Sequence, residues 1–393
     1  MALFGAPPHT ATATIRPVAR TSDVAVLGAG IVGLSTAFAL RELGATVHVY
    51  ERGTPGAAQS GGESRVFRHA HDDPRLIDLA VESRRIYREW EEALGVELVS
   101  DDGVVSLGPA AQRHFPLLER AGVGVAAVGA DELAERMPLL AAFDGPAIFD
   151  ADGGSIRAAA AVAALVGRLE ESLVADEVLA MWPTERDSIE VRSTEGRGEH
   201  GAVVVCAGAD TARLARGIGL PIPSELSLHG RVTFGVRGAA PARVACLLDS
   251  SDAFGEAGVY GAPSPSSSRF SLGVAGAAVA REDASLLSPS ALASVTDRAA
   301  TYVRRALPGL DPEPAGYRHC WGATLPWHDD AIGVWEAERM LFVAGSNLFK
   351  HAPALGRRLA DAALGEGLDD QLQPASRLGR APRAYRSSFS SSS

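Results

Sequence analysis

Residues 23–52, DVAVLGAGIVGLSTAFALRELGATVHVYER, constrain this chain more than any other stretch. The apolar run 24–27 predicts a buried strand, and the spacing from Ile31 to Leu43 predicts a helix that Gly44 stops. A second strand, 46–50, leads into Glu51. Strand, glycine turn, helix, strand and acidic end in that register make a dinucleotide-binding βαβ unit. Each part has a physical task. Gly28 turns the chain off the strand, Gly30 lets a pyrophosphate approach the backbone, and Gly33 lets helix and strand pack closely. The helix N-terminus, with Ile31 and Val32, offers free N–H groups and partial positive charge to phosphates. Glu51 stands where a carboxylate accepts from ribose hydroxyls. These residues alone leave FAD and NAD both open.

The whole chain narrows the partners. It has 393 residues, enough for two or three domains' worth of mass, and a hydrophobic content of 46% that supports sizeable cores. A net charge of −11 argues against nucleic acid, which needs a basic footprint. No apolar run has the length of a membrane span. Cys206, Cys246 and Cys320 form no CxxC pair, which suits a reducing compartment, the cytoplasm, and suggests no metal site. Lys350 is the only lysine in a chain that otherwise takes its strong cations from arginine. That isolation marks a position calling for a compact, titratable charge.

Residues 1–22 read as a disordered extension without a secretory signal, and 371–393, rich in arginine and serine, as a disordered tail. A loop at 53–64 carries Ser60 and Ser64, and an amphipathic helix covers about 76–94. Arg65 and Arg68 lie one turn apart and share a face if that segment is helical. His69, His71, Asp72 and Asp73 are expected to line a pocket entrance or cap the next helix rather than bind metal. A long helix is expected from Asp152. The apolar strand 202–206 ends at Gly208, and residues 226–280 alternate as antiparallel strands do. A helix at 289–306 precedes a return to α/β pattern near 340–364. The fold class is α/β: a Rossmann-like nucleotide domain (22–100, 150–225, 318–370) interleaved with an antiparallel-sheet α+β substrate domain (101–149, 226–317).

At this point the sequence resembles the FAD-dependent amine and amino-acid oxidoreductases of the D-amino-acid-oxidase superfamily, in the branch of monomeric sarcosine oxidase and N-methyltryptophan oxidase. The resemblance spans roughly 22–370 and rests on the βαβ unit, GESRVFRHAH, VVVCAGA, and a C-terminal C-x5-P followed by AGSNLFKHAP. It implies FAD held by the first unit, with Arg52 after the ribose-binding Glu51, Val178 near the adenine and Gly208 close to the cofactor. Ser60, Ser64, Gly345, Asn347, Leu348 and Phe349 fall in the same implied site. Cys320 stands where that branch attaches flavin through a thioether; a buried free thiol is the alternative. Arg68 and Lys350 match the cation pair that takes the substrate carboxylate, and Arg65 matches an arginine beside the flavin. The family's oxygen-activating lysine falls on Ser271, with Arg269 two residues earlier on the same strand face.

The implied reaction is oxidation of the C–N bond of a secondary, N-substituted or cyclic amino acid, with hydride passing to the flavin and an imine formed. Oxygen is one electron acceptor. The absent lysine keeps open a dehydrogenase with another acceptor, and a flavin-binding protein without turnover is a third reading. The expected partner is a small carboxylate-bearing substrate, and the chain a monomer or weak dimer.

Overall fold

The computed structural model describes residues 20–276, 278–279 and 289–381. Strand β1 (Arg20–Leu27) enters the centre of an eight-stranded sheet. It pairs in parallel with β2 (Val47–Glu51) on one side and with the strand Arg197–Val205 on the other. Helix α1 (Ile31–Glu42) is the crossover between β1 and β2, as the glycine and apolar pattern requires. The strand Met340–Gly345 joins the far side of Arg197–Val205, also in parallel, so the chain's late segment completes the sheet that its first segment began. Both faces of β1 are covered, and Val24, Ala25 and Val26 have no exposed surface.

A nine-stranded sheet is built around the strand Glu225–Val236. That strand pairs antiparallel with Arg269–Gly273 and with Leu310–Thr324. Its apolar face, including Phe234 and Phe270, packs with the helix Pro289–Ala306, through Val295 and Tyr302 among others, into a second core. A two-stranded ribbon pairs β3 (Ser64–Phe67) with Gly154–Arg157.

Several expectations change here. Arg20, Thr21 and Ser22 belong to β1, paired with Gly198, Glu199 and His200, rather than to an extension. The helix expected from Asp152 begins only at Ala158, because Gly154–Arg157 is a strand. A Cβ on Gly154 would collide with the Ser100 carbonyl, so the chain runs extended against that backbone. Arg65 lies on strand β3 and Arg68 just past its end, so no helical turn relates them. Residues 310–324, Cys320 included, form a strand of the antiparallel sheet, whereas the sequence pattern assigns 318–324 to the nucleotide domain.

Residues 371–381 differ as well. Leu372 and Leu378 are buried in the first core, and their carbonyls accept from Val334 and Ile332. The segment covers the free edge of the outermost strand, Ile332–Ala337. The expectations for 1–19 and 382–393 lie outside the described residues.

Candidate active site

The ends of the two sheets enclose a cavity of about 900 Å³. Its nucleotide end follows from the glycine turn. Gly28 has φ +102°, and a Cβ there would stand 2.6 Å from the Cys206 carbonyl oxygen. Gly33 does not line the cavity; it lets α1 settle on β1, since a Cβ would collide with the Gly28 carbonyl. Gly30, Ile31 and Val32 do line it. The N-cap residue of α1, Gly30, has no side chain to cap the helix, and Ser60 Oγ accepts from the Ile31 N–H at 2.9 Å. Glu51 accepts from the N–H groups of Ala29 (2.9 Å) and Gly53 (2.8 Å), which holds its carboxylate at the wall with lone pairs to spare. Val178 and Gly208 line the same end. Arg52 also lines it, and its guanidinium is paired with Asp210 at 2.7 Å.

The cavity continues to Arg65, Arg68, Cys320, Gly345, Asn347, Leu348, Phe349 and Lys350. The turn that delivers Lys350 depends on Gly345 at φ +152° and Asn347 at φ +55°. Arg65 gives its terminal nitrogens to the carbonyls of Ser64, Gln59 and Gly61, and its Nη2 lies 3.8 Å from Cys320 Sγ. Burial first, then Arg231 beside it, brings the Arg65 guanidinium down to about 10. Ser64 does not line the cavity; its carbonyl, instead, anchors Arg65 and Arg231.

Arg68 and Lys350 reach the same wall from distant parts of the chain. Arg68 Nη2 is paired with Asp330 at 2.7 Å, and Asp330 also meets His71 Nδ1 at 3.1 Å. Burial opposes the charge on Asp330, yet Arg68, His71 and Lys350 together hold its carboxyl well below the usual range. Lys350 Nζ donates to the Asn347 carbonyl at 3.1 Å. Burial, then repulsion from Arg68, brings this ammonium down to about 7, with Asp330 pulling the other way.

Ser271 and Arg269 lie outside the cavity lining. Ser271 Oγ is bonded to Thr233 Oγ1 at 2.8 Å, and Arg269 is half-exposed and paired with Glu63 at 2.7 Å. Asp73 caps helix α2 (Pro74–Leu94) by accepting from Arg75 N. His69 is held by Asp150, and Asp72 by His114. Among the described residues no group of three or more His, Cys, Asp or Glu side chains is placed to hold a metal ion.

Residues 23–362 match the DAO family, whose description is FAD dependent oxidoreductase. The chain belongs to that family. Over 220 residues it is 30% identical to a monomeric sarcosine oxidase of Streptomyces avermitilis, an alignment covering 52% of this chain and 56% of that one. The chain thus matches only a little over half the length of that relative. Its fold is similar to NikD, an unusual amino acid oxidase essential for nikkomycin biosynthesis, in the open form (TM-score 0.77, 22% identity, 92% and 98% of the two chains). It is also similar to L-proline dehydrogenase from P. horikoshii (TM-score 0.77, 19% identity, 93% and 100%).

The residues present fit the family's cofactor. A helix N-terminus lining the cavity, a Gly30 N-cap whose missing side chain leaves one wall open, and a Glu51 carboxylate with spare lone pairs suit a dinucleotide. Further along, two nitrogens of the buried Arg231 guanidinium have no partner among the described residues. Sequence reading missed Arg231 and Asp330, because cross-strand neighbours and a buried counter-charge leave no local pattern.

Proposed function

We propose that this protein oxidises the C–N bond of a secondary, N-substituted or cyclic amino acid. The observation that carries the reading is the meeting of Arg68 and Lys350 on a wall of the cavity that begins at the glycine turn. A guanidinium and an ammonium there offer a carboxylate charge-assisted hydrogen bonds. With the carboxylate held, the α-carbon is fixed in one orientation. FAD, when bound, supplies the hydride acceptor for the α C–H bond. The two cations also favour the neutral form of the substrate amine, the form able to push electrons into the new C=N bond. The imine then hydrolyses to glyoxylate or a keto acid, or is retained when the nitrogen is in a ring. Asp330 tempers the clamp by holding Arg68 in place and offsetting part of its charge.

The test is anaerobic mixing of the yellow holoprotein with N-methyl and cyclic amino acids and with their decarboxylated analogues. Bleaching by the acids alone is expected; equal bleaching by both would remove the carboxylate clamp, and bleaching by neither would remove the reading. Arg68→Met and Lys350→Met should each weaken substrate binding about 10- to 100-fold, the worth of a charge-assisted hydrogen bond.

We place the flavin attachment on Cys320, which lines the cavity at the end of a contact with Arg65. Acid precipitation should leave the colour in the pellet, and Cys320→Ala should release it. Colour in the wild-type supernatant would make the cofactor non-covalent. A second reading, a dehydrogenase with an acceptor other than oxygen, draws on Ser271, a neutral residue engaged with Thr233 where an oxidase of this kind carries lysine.

A further inference from the structure

Arg231 is a buried cation lining the cavity that the reading above leaves without a task. It sits in the strand Glu225–Val236, is 7% exposed and lines the cavity. Only its Nη1 is engaged, donating to the Ser64 carbonyl at 2.8 Å; Nε and Nη2 meet no acceptor among the described residues. A buried guanidinium with unused donors is costly unless something negative comes to it.

The sheet register shows where that charge stands. Arg231 is directly opposite Gly273, and Gly273 is directly opposite Tyr260 on the next strand. The three form one row across three strands, on one face. Because Gly273 has no side chain, the Tyr260 ring lies over it; a Cβ there would collide with the ring. Ser271, opposite Thr233, is one step along the same face. Arg231 therefore projects from the neighbouring strand on the sheet face where the lysine was expected. The other two arginines considered for this region are committed, Arg65 to backbone carbonyls and Arg269 to Glu63.

We propose that Arg231 is the cation that activates molecular oxygen in this protein, standing in from the adjacent strand for the lysine that Ser271 replaces. The proposal rests on the oxidase form of the function given above. One O2 takes two electrons and two protons from the reduced cofactor and leaves as hydrogen peroxide. The first electron turns a neutral molecule into superoxide, and a fixed, buried charge stabilises that new anion. A guanidinium keeps its charge at any working pH, as a lysine need not.

The experiment separates this step from the substrate reaction. The holoprotein is reduced with light or dithionite, without any amine, and mixed with oxygenated buffer while the flavin absorbance returns. Arg231→Gln should slow reoxidation about 10²- to 10³-fold, the scale for losing one preorganised charged donor. Arg231→Lys should restore most of the rate. A second readout needs no turnover: sulfite, an anion that adds to oxidised flavin and changes its spectrum, should bind more weakly to Arg231→Gln than to wild type or Arg231→Lys. Slow reoxidation of the wild type itself, or equal rates for the Gln and Lys variants, would overturn the proposal. A variant slowed more in reduction by substrate than in reoxidation by oxygen would make Arg231 a substrate anchor and also overturn it. Should no amine reduce the wild type, the substrate reading fails while the oxygen measurement still stands.

Discussion

The lone lysine carries a pH-sensitive charge in the cavity. Lys350 is buried beside Arg68, and its ammonium falls from the ordinary 10.5 to about 7. The folded chain therefore holds this proton more weakly than the unfolded chain does. Its destabilising effect is complete below about pH 7 and fades as the pH climbs toward 10.5. Lys350→Met should raise the melting temperature most below pH 7, with the gain shrinking toward pH 10.5; a gain independent of pH would refute the account. A carboxylate ligand should bind more weakly as the pH rises through about 7, followed by flavin absorbance. Asp330 is the neighbour that holds the lysine proton in place, so Asp330→Asn should move that midpoint lower. A midpoint that stays put would mean Asp330 acts on Arg68 alone.

Helix α1 and strand β1 meet through Gly33, and the closeness of that contact sets where the helix N-terminus points. Gly33→Ala puts a methyl group against the Gly28 carbonyl, backbone on backbone, with no side chain free to move aside. Overpacking of this kind costs about 1–3 kcal/mol or more, and here it also displaces the donors meant for the pyrophosphate. The expected result is a lower melting temperature together with loss of bound FAD. Retention of both would show that the helix can shift without penalty. In the antiparallel sheet the comparable glycine is Gly273, whose bare Cα lets Tyr260 lie across the row it shares with Arg231.

At the scale of the whole molecule, the cavity exists because the chain passes back and forth between the eight-stranded and the nine-stranded sheet, returning to the first through Met340–Gly345. Residues 371–381 then cover the edge of Ile332–Ala337, with Leu372 fully buried. Leu372→Ala should cost about 2–5 kcal/mol, as other large-to-small core changes do. Thermal melting of the holoprotein checks this, and an unchanged midpoint would mean the segment contributes nothing to the fold. The reading of 371–393 as a tail failed for its first part because composition, rich in serine and arginine, outweighed two leucines spaced too far apart to form a pattern.

The βαβ unit and the helix at 289–306 were legible from the sequence, and Arg68, Cys320 and Lys350, to which the family resemblance pointed, line the cavity. Local apolar periodicity and glycine chemistry act over a few residues, and an isolated lysine is visible in any composition count. The strand at Gly154–Arg157, the sheet that carries Cys320, the pairing of Arg68 with Asp330 and the position of Arg231 belonged to the tertiary structure alone. Each depends on which strands lie side by side, and strand neighbours are chosen by long-range packing and register. Along one strand the sequence shows every second residue on a face, which leads from Ser271 only to Arg269. Only the folded sheet shows that the unengaged guanidinium is one strand over.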